Sequence, residues 1–315
     1  MIRVFIDGQA GTTGLEIVQR LAARDDVELL EIDPAERKSP AARQRLFDSA
    51  DVAVLCLPDD AAREAAVLAD GRCRIIDAST AHRIQEGWCY GLPELGSNQR
   101  QALAAAERVA NPGCYPQGFI LMIRPLIGAG LLDPEQPLAV QALSGYSGGG
   151  RTLIEARRAF GSQEAERRNT EPYALSLKHK HVPEMQAYSG TKIAPLFTPS
   201  VGQFYQGMLV GVPLFCSQLR KGADYDGIYH ILEEAYALEP FVDVLEPGAE
   251  TALTDGFLNA TACNGTNRLE IMLFGHSEQL LLMARYDNLG KGAAGAAVQN
   301  LNLMMGIDET TGLTS

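Results

Sequence analysis

With 315 residues and 27 Lys plus Arg against 39 Asp plus Glu, the chain carries a formal charge of −12. That balance argues against a broad nucleic-acid surface and leaves room for a local phosphate pocket. Apolar residues make up 46 % and charged residues 21 %, a globular composition, and a chain this long, roughly two domains, needs no metal or disulfide staple. The six cysteines form no CxxC pair, no basic leader precedes an apolar segment, and no apolar run approaches about 18 residues, so a reducing, cytoplasmic setting without membrane spans is expected.

In chain order, strand-like apolar runs at residues 2–6, 27–32, 52–57 and 73–78 alternate with helical patterns, the clearest placing Leu15, Val18, Leu21 and Ala22 on one face. Continuous apolar strands separated by helices predict a parallel sheet covered on both sides. A further helix is expected after Ser97, through residues 102–109. The rhythm changes after residue 116, where GFILMIRPLIGAGLL predicts one long buried helix interrupted near Pro125. Beyond it, β-type runs at 138–143, 192–197, 208–215, 268–274 and 279–285 are joined by helices near 152–160 and 228–238, and an apolar helix, GKGAAGAAVQNLNLMMG, follows. Strands grouped after a βαβ region predict a second, α+β domain with a more antiparallel sheet.

The loop Gly8-Gln9-Ala10-Gly11-Thr12-Thr13-Gly14 directly follows the first strand and opens the first helix. Gly8, Gly11 and Gly14 permit a tight turn and a close backbone approach to a pyrophosphate, and the helix N-terminus adds unpaired N–H groups. Thr12 and Thr13 add hydroxyl donors. Near the end of the second strand stand Glu31 and Asp33, followed at once by Arg37 and Lys38. A free ribose would favour the carboxylates and a 2′-phosphate the cations, so the reading leans to the phosphorylated nicotinamide cofactor, NADP(H).

The sharpest local feature is Asn111-Pro112-Gly113-Cys114-Tyr115-Pro116-Gln117-Gly118, just before the long apolar segment. Pro116 suits a first helical turn, which sets Cys114 beside the helix N-terminus. Dipole and amides there stabilise a thiolate and can hold an oxyanion, making Cys114 the candidate nucleophile for a carbonyl. Among the five histidines, the run Lys178-His179-Lys180-His181-Val182-Pro183-Glu184 gathers base, cation and carboxylate at an expected helix start. A two-His metal site there is disfavoured, since Glu184 completes a poor ligand set and the lysines repel a cation. A third cluster, Ser144-Gly145-Tyr146-Ser147-Gly148-Gly149-Gly150-Arg151, offers backbone donors, hydroxyls and a guanidinium for an anionic phosphate or carboxylate. Arg151, Lys178, Lys180 and Lys192 together read as a focused anion site within an acidic chain.

The ordered set GQAGTTG, DASTAHR (77–83), YGLPEL (90–95), NPGCYP (111–116), SGYSGGGR (144–151), HKHVPEM (179–185) and DNLGKGAAGAAVQ (287–299) resembles the N-acetyl-γ-glutamyl-phosphate reductases in their shorter form, over essentially the whole chain. The resemblance implies a Rossmann-type doubly wound parallel sheet and a second α+β domain like that of the semialdehyde and glyceraldehyde-phosphate dehydrogenases. Residues 1–116, completed by 288–315, would bind the dinucleotide, and 117–287 would bind substrate and form the oligomer contact. It further implies a homodimeric or homotetrameric enzyme of arginine biosynthesis that reduces N-acetyl-L-glutamyl 5-phosphate with NADPH, releasing inorganic phosphate. Cys114 matches the family's nucleophile, and the HxHxPE segment its acid–base histidine: His181, with His179 second. Gly8, Gly11 and Gly14 match the cofactor loop, and Asn288, Lys291 and Gly292 a cofactor-side stretch. Ser144, Ser147, Gly148, Arg151 and Glu184 are the expected substrate contacts. Thr80-Ala81-His82 departs from the longer family form, which weakens any role for that loop. The alternatives are an aspartate-semialdehyde dehydrogenase, a carrier-protein-linked acyl-phosphate reductase, and a non-catalytic nucleotide-binding protein.

Overall fold

The computed structural model describes residues 1–220 and 224–315. Two compact units divide the chain, one of residues 1–113 and 293–314, the other of residues 114–292. The expected boundaries at 116 and 288 therefore move to 113 and 293. Cys114 is already the first residue of a helix whose body lies in the second unit, and the chain leaves that unit only after Gly292.

The first unit is built on β1 (Ile2–Asp7), α1 (Thr12–Ala22), β2 (Val27–Leu30), α2 (Pro40–Ser49), β3 (Val52–Leu55), α3 (Asp59–Ala69), β4 (Arg74–Asp77), β5 (Cys89–Tyr90), α4 (Gln99–Ala105) and β6 (Arg108–Ala110). Its sheet runs β2-β1-β3-β4-β6-β5 and is parallel throughout. Every residue of β3 is buried, as apolar strands covered on both faces require. Local chemistry starts the helices: Ser39 accepts from the Ala42 N–H ahead of Pro40, and Asp59 and Asp60 sit in the first turn of α3. Val4, Ile6, Ile17, Leu21 and Val54 form one core with Ala297, Val298 and Leu301 of the C-terminal helix Gly295–Met304. The helix expected to reach residue 109 stops at Ala105. Residues 108–110 are instead taken as β6, wedged between β4 and β5 by hydrogen bonding.

The second unit opens on α5 (Cys114–Gly128) and continues with β7 (Ala139–Gly145), α6 (Gly150–Arg158), α7 (Ser162–Arg167), β8 (Thr170–Pro172), α8 (Val182–Ser189), β9 (Leu196–Gly202), β10 (Met208–Phe215), α9 (Tyr225–Tyr236), β11 (Val242–Val244), a short hairpin of β12 (Leu253–Thr254) and β13 (Phe257–Leu258), β14 (Leu269–Gly275) and β15 (Gln279–Tyr286). The sheet order is β11-β14-β15-β10-β7-β9-β8, with two parallel pairs, β11–β14 and β7–β9, among antiparallel ones. α5 packs on this sheet and against α8 and α9. Its residues Phe119 to Ile123 are fully buried, because a helix apolar on all sides must be enclosed.

Pro125 does not interrupt α5, which runs on to Gly128. The missing Pro125 N–H would leave the Leu121 carbonyl unsatisfied, and the Tyr236 hydroxyl of α9 donates to that carbonyl at 2.7 Å. β9 begins at Leu196, past most of the run expected at 192–197. Its limits follow the ladder with β7, from Ala139 opposite Leu196 to Gly145 opposite Gly202.

Candidate active site

In the first unit, the chain runs up β1, pairs β2 on one side and β3 on the other, and so places the glycine loop at the point where strand order reverses. Gly8 adopts φ +94°, and a Cβ there would overlap the Cys56 carbonyl just past β3. A Cβ at Gly14 would come within 2.6 Å of the Gly8 carbonyl oxygen and 2.8 Å of Gln9 Cα. Both glycines are thus demanded by the fold. At Gly11 a Cβ would meet only Gly8 O at 3.4 Å and Cys56 O at 3.9 Å, so the protein itself leaves room. Gly11 is the N-cap of α1 and supplies no side-chain cap. The first-turn amides, with Thr12 and Thr13 half-buried beside them, fit the oxygens of a pyrophosphate. Arg37 and Lys38 lie exposed in the turn after β2, and Asp33 is committed to that turn, accepting from the Ala35 N–H at 2.8 Å.

In the second unit, Cys114 is the first residue of α5 and is half-buried. Its surroundings are made by the segment that follows β15. A Cβ on Gly292 would stand 3.1 Å from Cys114 Cβ, a tight contact that would press on the thiol-bearing residue, so glycine there keeps clearance around it. Gly290–Ala294 form a π-helical turn, with Gly292 N–H donating to Asp287 O at 2.9 Å, and Gln117 Nε2 straps that turn to α5 through Lys291 O at 2.8 Å. Four further thiols are held protonated by their surroundings. Burial, with Asp77 and Asp7 nearby, pushes Cys56 up to about 12. Burial pushes Cys73 and Cys263 up to about 11, and Cys89 upward as well, so all four stay protonated at neutral pH.

The two histidines come together around Tyr115, the residue next to Cys114. Their rings lie 4.7 Å apart, each 5.9 Å from the Tyr115 ring, with Phe197 5.1 Å from both Tyr115 and His179. Tyr173 closes the group, its hydroxyl donating to that of Tyr115 at 3.1 Å. Burial holds the Tyr115 phenol protonated, with neighbouring Tyr173 and Cys114 pushing the same way. His181 is buried as the N-cap of α8, and Glu184 is buried in the first turn. His179 Nδ1 accepts the His181 backbone N–H at 3.1 Å, which fixes its neutral form as the Nε2–H tautomer. Two ring nitrogens therefore differ in duty: one is tied to the turn.

The 144–151 loop leaves β7 and enters α6. Ser144 and Ser147 are buried, and Gly148 is exposed. Asn288 is locked to this loop, donating to Ser147 Oγ at 2.8 Å and accepting the Gly207 N–H at 2.8 Å. Lys291 is fully buried with its ammonium 5.9 Å from the centre of the Phe241 ring. Of the four cations expected to form one anion site, Arg151 is exposed and paired along its own helix with Glu155 at 2.7 Å, and Lys192 pairs with Glu135 at 3.0 Å. Each of these two has its own carboxylate; Lys178 and Lys180 are exposed.

Sequence reasoning missed Tyr173, Phe197 and Tyr286, which reach the histidines or the Cys114 carbonyl from separate elements and carry no local motif, and it gave Gln117 no role although that residue stands in the motif around Cys114. The departure at Thr80-Ala81-His82 has a structural explanation in the first unit. His82 Nδ1 sits 2.6 Å from Asp77 Oδ2, and its ring stacks on Trp88 at 4.0 Å. Ser79 also donates to Asp77, leaving that buried carboxylate well satisfied.

Comparisons with known proteins agree with this architecture. The family description semialdehyde dehydrogenase, NAD binding domain, matches residues 33–105, and semialdehyde dehydrogenase, dimerisation domain, matches residues 114–288. Aspartate semialdehyde dehydrogenase II from Vibrio cholerae superposes with a TM-score of 0.73 at 17 % identity, covering 97 % of this chain and 98 % of that one; at such identity the likeness is one of fold. The class is therefore that of the semialdehyde dehydrogenases. N-acetyl-gamma-glutamyl-phosphate reductase 2 of Nostoc sp. (strain PCC 7120) is 48 % identical over 318 residues, covering 99 % of each chain. The corresponding reductase of Brucella ovis is 47 % identical over 310 residues, covering 96 % of this chain and 99 % of its own. Within that class, this chain belongs to the N-acetyl-γ-glutamyl-phosphate reductase family.

Proposed function

We propose that the protein reduces N-acetyl-L-glutamyl 5-phosphate to N-acetyl-L-glutamate 5-semialdehyde and inorganic phosphate with NADPH, as a step of arginine biosynthesis. The observation that carries this conclusion is the full-length similarity to reductases of that name, 48 % over 318 residues. The group suited to the chemistry is the half-buried thiol on the first residue of α5.

The Cys114 thiolate attacks the carbonyl carbon of the acyl phosphate, and first-turn backbone N–H groups of α5 take the developing oxyanion. The carbon–oxygen bond to phosphate then breaks, phosphate departs with the electron pair, and a thioester remains on Cys114. NADPH, when bound, supplies the hydride that brings this acyl group to the aldehyde level. His181 handles the proton as the carbon–sulfur bond opens and the thiolate is restored, while His179, tied to the turn, orients it. Ser144, Ser147, Gly148, Arg151 and Glu184 are assigned to the acyl phosphate. The exposed Arg151–Glu155 pair is the kind an incoming anion readily displaces. Gly8, Gly11, Thr12, Thr13 and Gly14 are assigned to the pyrophosphate, Arg37 and Lys38 to the 2′-phosphate, and Asn288, Lys291 and Gly292 to the remaining cofactor side. Assembly as a homodimer or homotetramer belongs to the same proposal, supported by the dimerisation-domain match across residues 114–288.

The test runs the reaction backwards: purified protein, inorganic phosphate, N-acetylated glutamate semialdehyde and NADP should generate reduced nicotinamide, and aspartate semialdehyde should not. Cys114→Ala should abolish the signal. Near-normal turnover in that variant would overturn the covalent route.

A further inference from the structure

Among the described residues, the largest fully buried side chain belongs to Tyr286, the last residue of β15. Its hydroxyl meets both ends of the first backbone hydrogen bond of α5. It donates to the Cys114 carbonyl at 2.6 Å and accepts from the Gly118 N–H at 3.2 Å. In a regular α-helix these two groups pair with each other, so a side chain from a strand occupies the junction that sets the pitch of the first turn. Burial holds the phenol protonated, with the Cys114 charge pushing the same way, so the hydroxyl keeps its donor role. Room for the ring comes from Gly118, where a Cβ would lie 3.0 Å from Tyr286 Cε1, 3.0 Å from Tyr286 Oη and 3.0 Å from Ala284 Cβ.

The backbone of Cys114 is held from β15 by Tyr286, and its side-chain space is shaped by Gly292 in the segment that follows the same strand. Gln117 adds the second strap, to Lys291. One continuous stretch, 286–292, therefore both fixes the nucleophile's backbone and sets the clearance around its Cβ.

We propose that Tyr286 is a positioning residue for the nucleophile: its hydroxyl fixes the first turn of α5 and thereby the direction in which the Cys114 thiol leaves the helix. This rests on Cys114 being the nucleophile. By drawing on the Cys114 carbonyl, the hydroxyl also removes electron density beside the thiolate. Loss of the hydroxyl removes the tie from β15 to both groups and leaves the first turn to be set by α5 alone, which redirects the sulfur.

Tyr286→Phe keeps the ring and removes only the hydroxyl. Its kcat should fall about ten- to a hundredfold, the cost of a misplacement near 1 Å, with KM nearly unchanged. Iodoacetamide alkylation, followed by mass spectrometry on the Cys114 peptide across pH, should show its midpoint moved to higher pH. Gly118→Ala pushes the same hydroxyl away by a different route, and the double variant should be no slower than the worse single one. An unchanged alkylation midpoint in Tyr286→Phe and Gly118→Ala overturns the proposal, whether or not turnover or melting temperature falls. Turnover surviving Cys114→Ala would instead remove the nucleophile itself, a separate result that the alkylation midpoint does not depend on.

Discussion

Replacing Gly11 by Ala asks whether the loop after β1 is kept open for a ligand or is only tight for the fold. The backbone there is extended, φ −79° and ψ 164°, which any residue adopts, and the new methyl would rest 3.4 Å from Gly8 O and 3.9 Å from Cys56 O. Alanine is the poorer N-cap, by about 0.5–1 kcal/mol, but it also stiffens the unfolded chain by about as much, so folding should change by only about a few tenths of a kcal/mol. Gly8→Ala behaves differently, because φ +94° alone costs about 1–2 kcal/mol and the overlap with the Cys56 carbonyl adds to it. At Gly11 the methyl would instead occupy open space beside the start of α1, where the pyrophosphate is proposed to lie. A hydrogen bond to a charged oxygen is worth about 1.5–3 kcal/mol, so losing one weakens NADPH about ten- to a hundredfold. Fluorescence titration with NADPH and thermal denaturation of the same preparations measure the two effects. A wild-type Kd in Gly11→Ala, or a weaker one that appears only together with a lowered melting temperature, would refute the reasoning.

Three further outcomes follow from the geometry. The Cys56 thiol, held up to about 12 by burial, keeps its proton in the folded state while an unfolded thiol loses it near pH about 8.5. The stability this contributes is complete below that value and drains away as pH rises towards 12, at about 1.4 kcal/mol per pH unit. Urea titrations at alkaline pH should show that slope reduced by one proton in Cys56→Ala; an unchanged slope rejects it. His82→Phe keeps the stack on Trp88 and removes the bond to Asp77, so chemical denaturation should register a loss of about 1–3 kcal/mol; no loss would mean Ser79 alone satisfies the carboxylate. Asn288→Ala frees Ser147 and the Gly207 N–H, and steady-state kinetics should show KM rising for the acyl phosphate, through the loosened Ser147, as well as for NADPH, to whose side Asn288 is assigned. A rise for NADPH alone would mean that the bond to Ser147 does not shape the substrate loop.

Features written in contiguous residues are legible in the sequence itself. Glycines at 8 and 14 are spaced for a turn that folds onto itself within a few residues, and the contacts that exclude a Cβ at Gly14 come from Gly8 and Gln9. Pro116 behind Cys114 marks a helix start by local rules, and α5 does begin at Cys114. The apolar runs of β1, β3 and β4 stand out because both their faces are covered. The ordered motifs likewise point to the family that full-length identity establishes.

What the tertiary structure alone decided lies in contacts between distant residues. α5 survives Pro125 because a hydroxyl 115 positions along the chain from Leu121 replaces the lost partner, and no local rule reports such a donor. The short strand at 108–110 and the start of β9 are set by neighbouring strands rather than by propensity. Arg151, read as an anion ligand, has Glu155 one turn away, a choice made by side-chain direction on the finished helix. Tyr286 has no motif at all; its place at the first turn of α5 exists only once β15 has packed against that helix. Propensity and capping act over a few residues and can be read from the chain, whereas packing and register are settled only when remote segments meet.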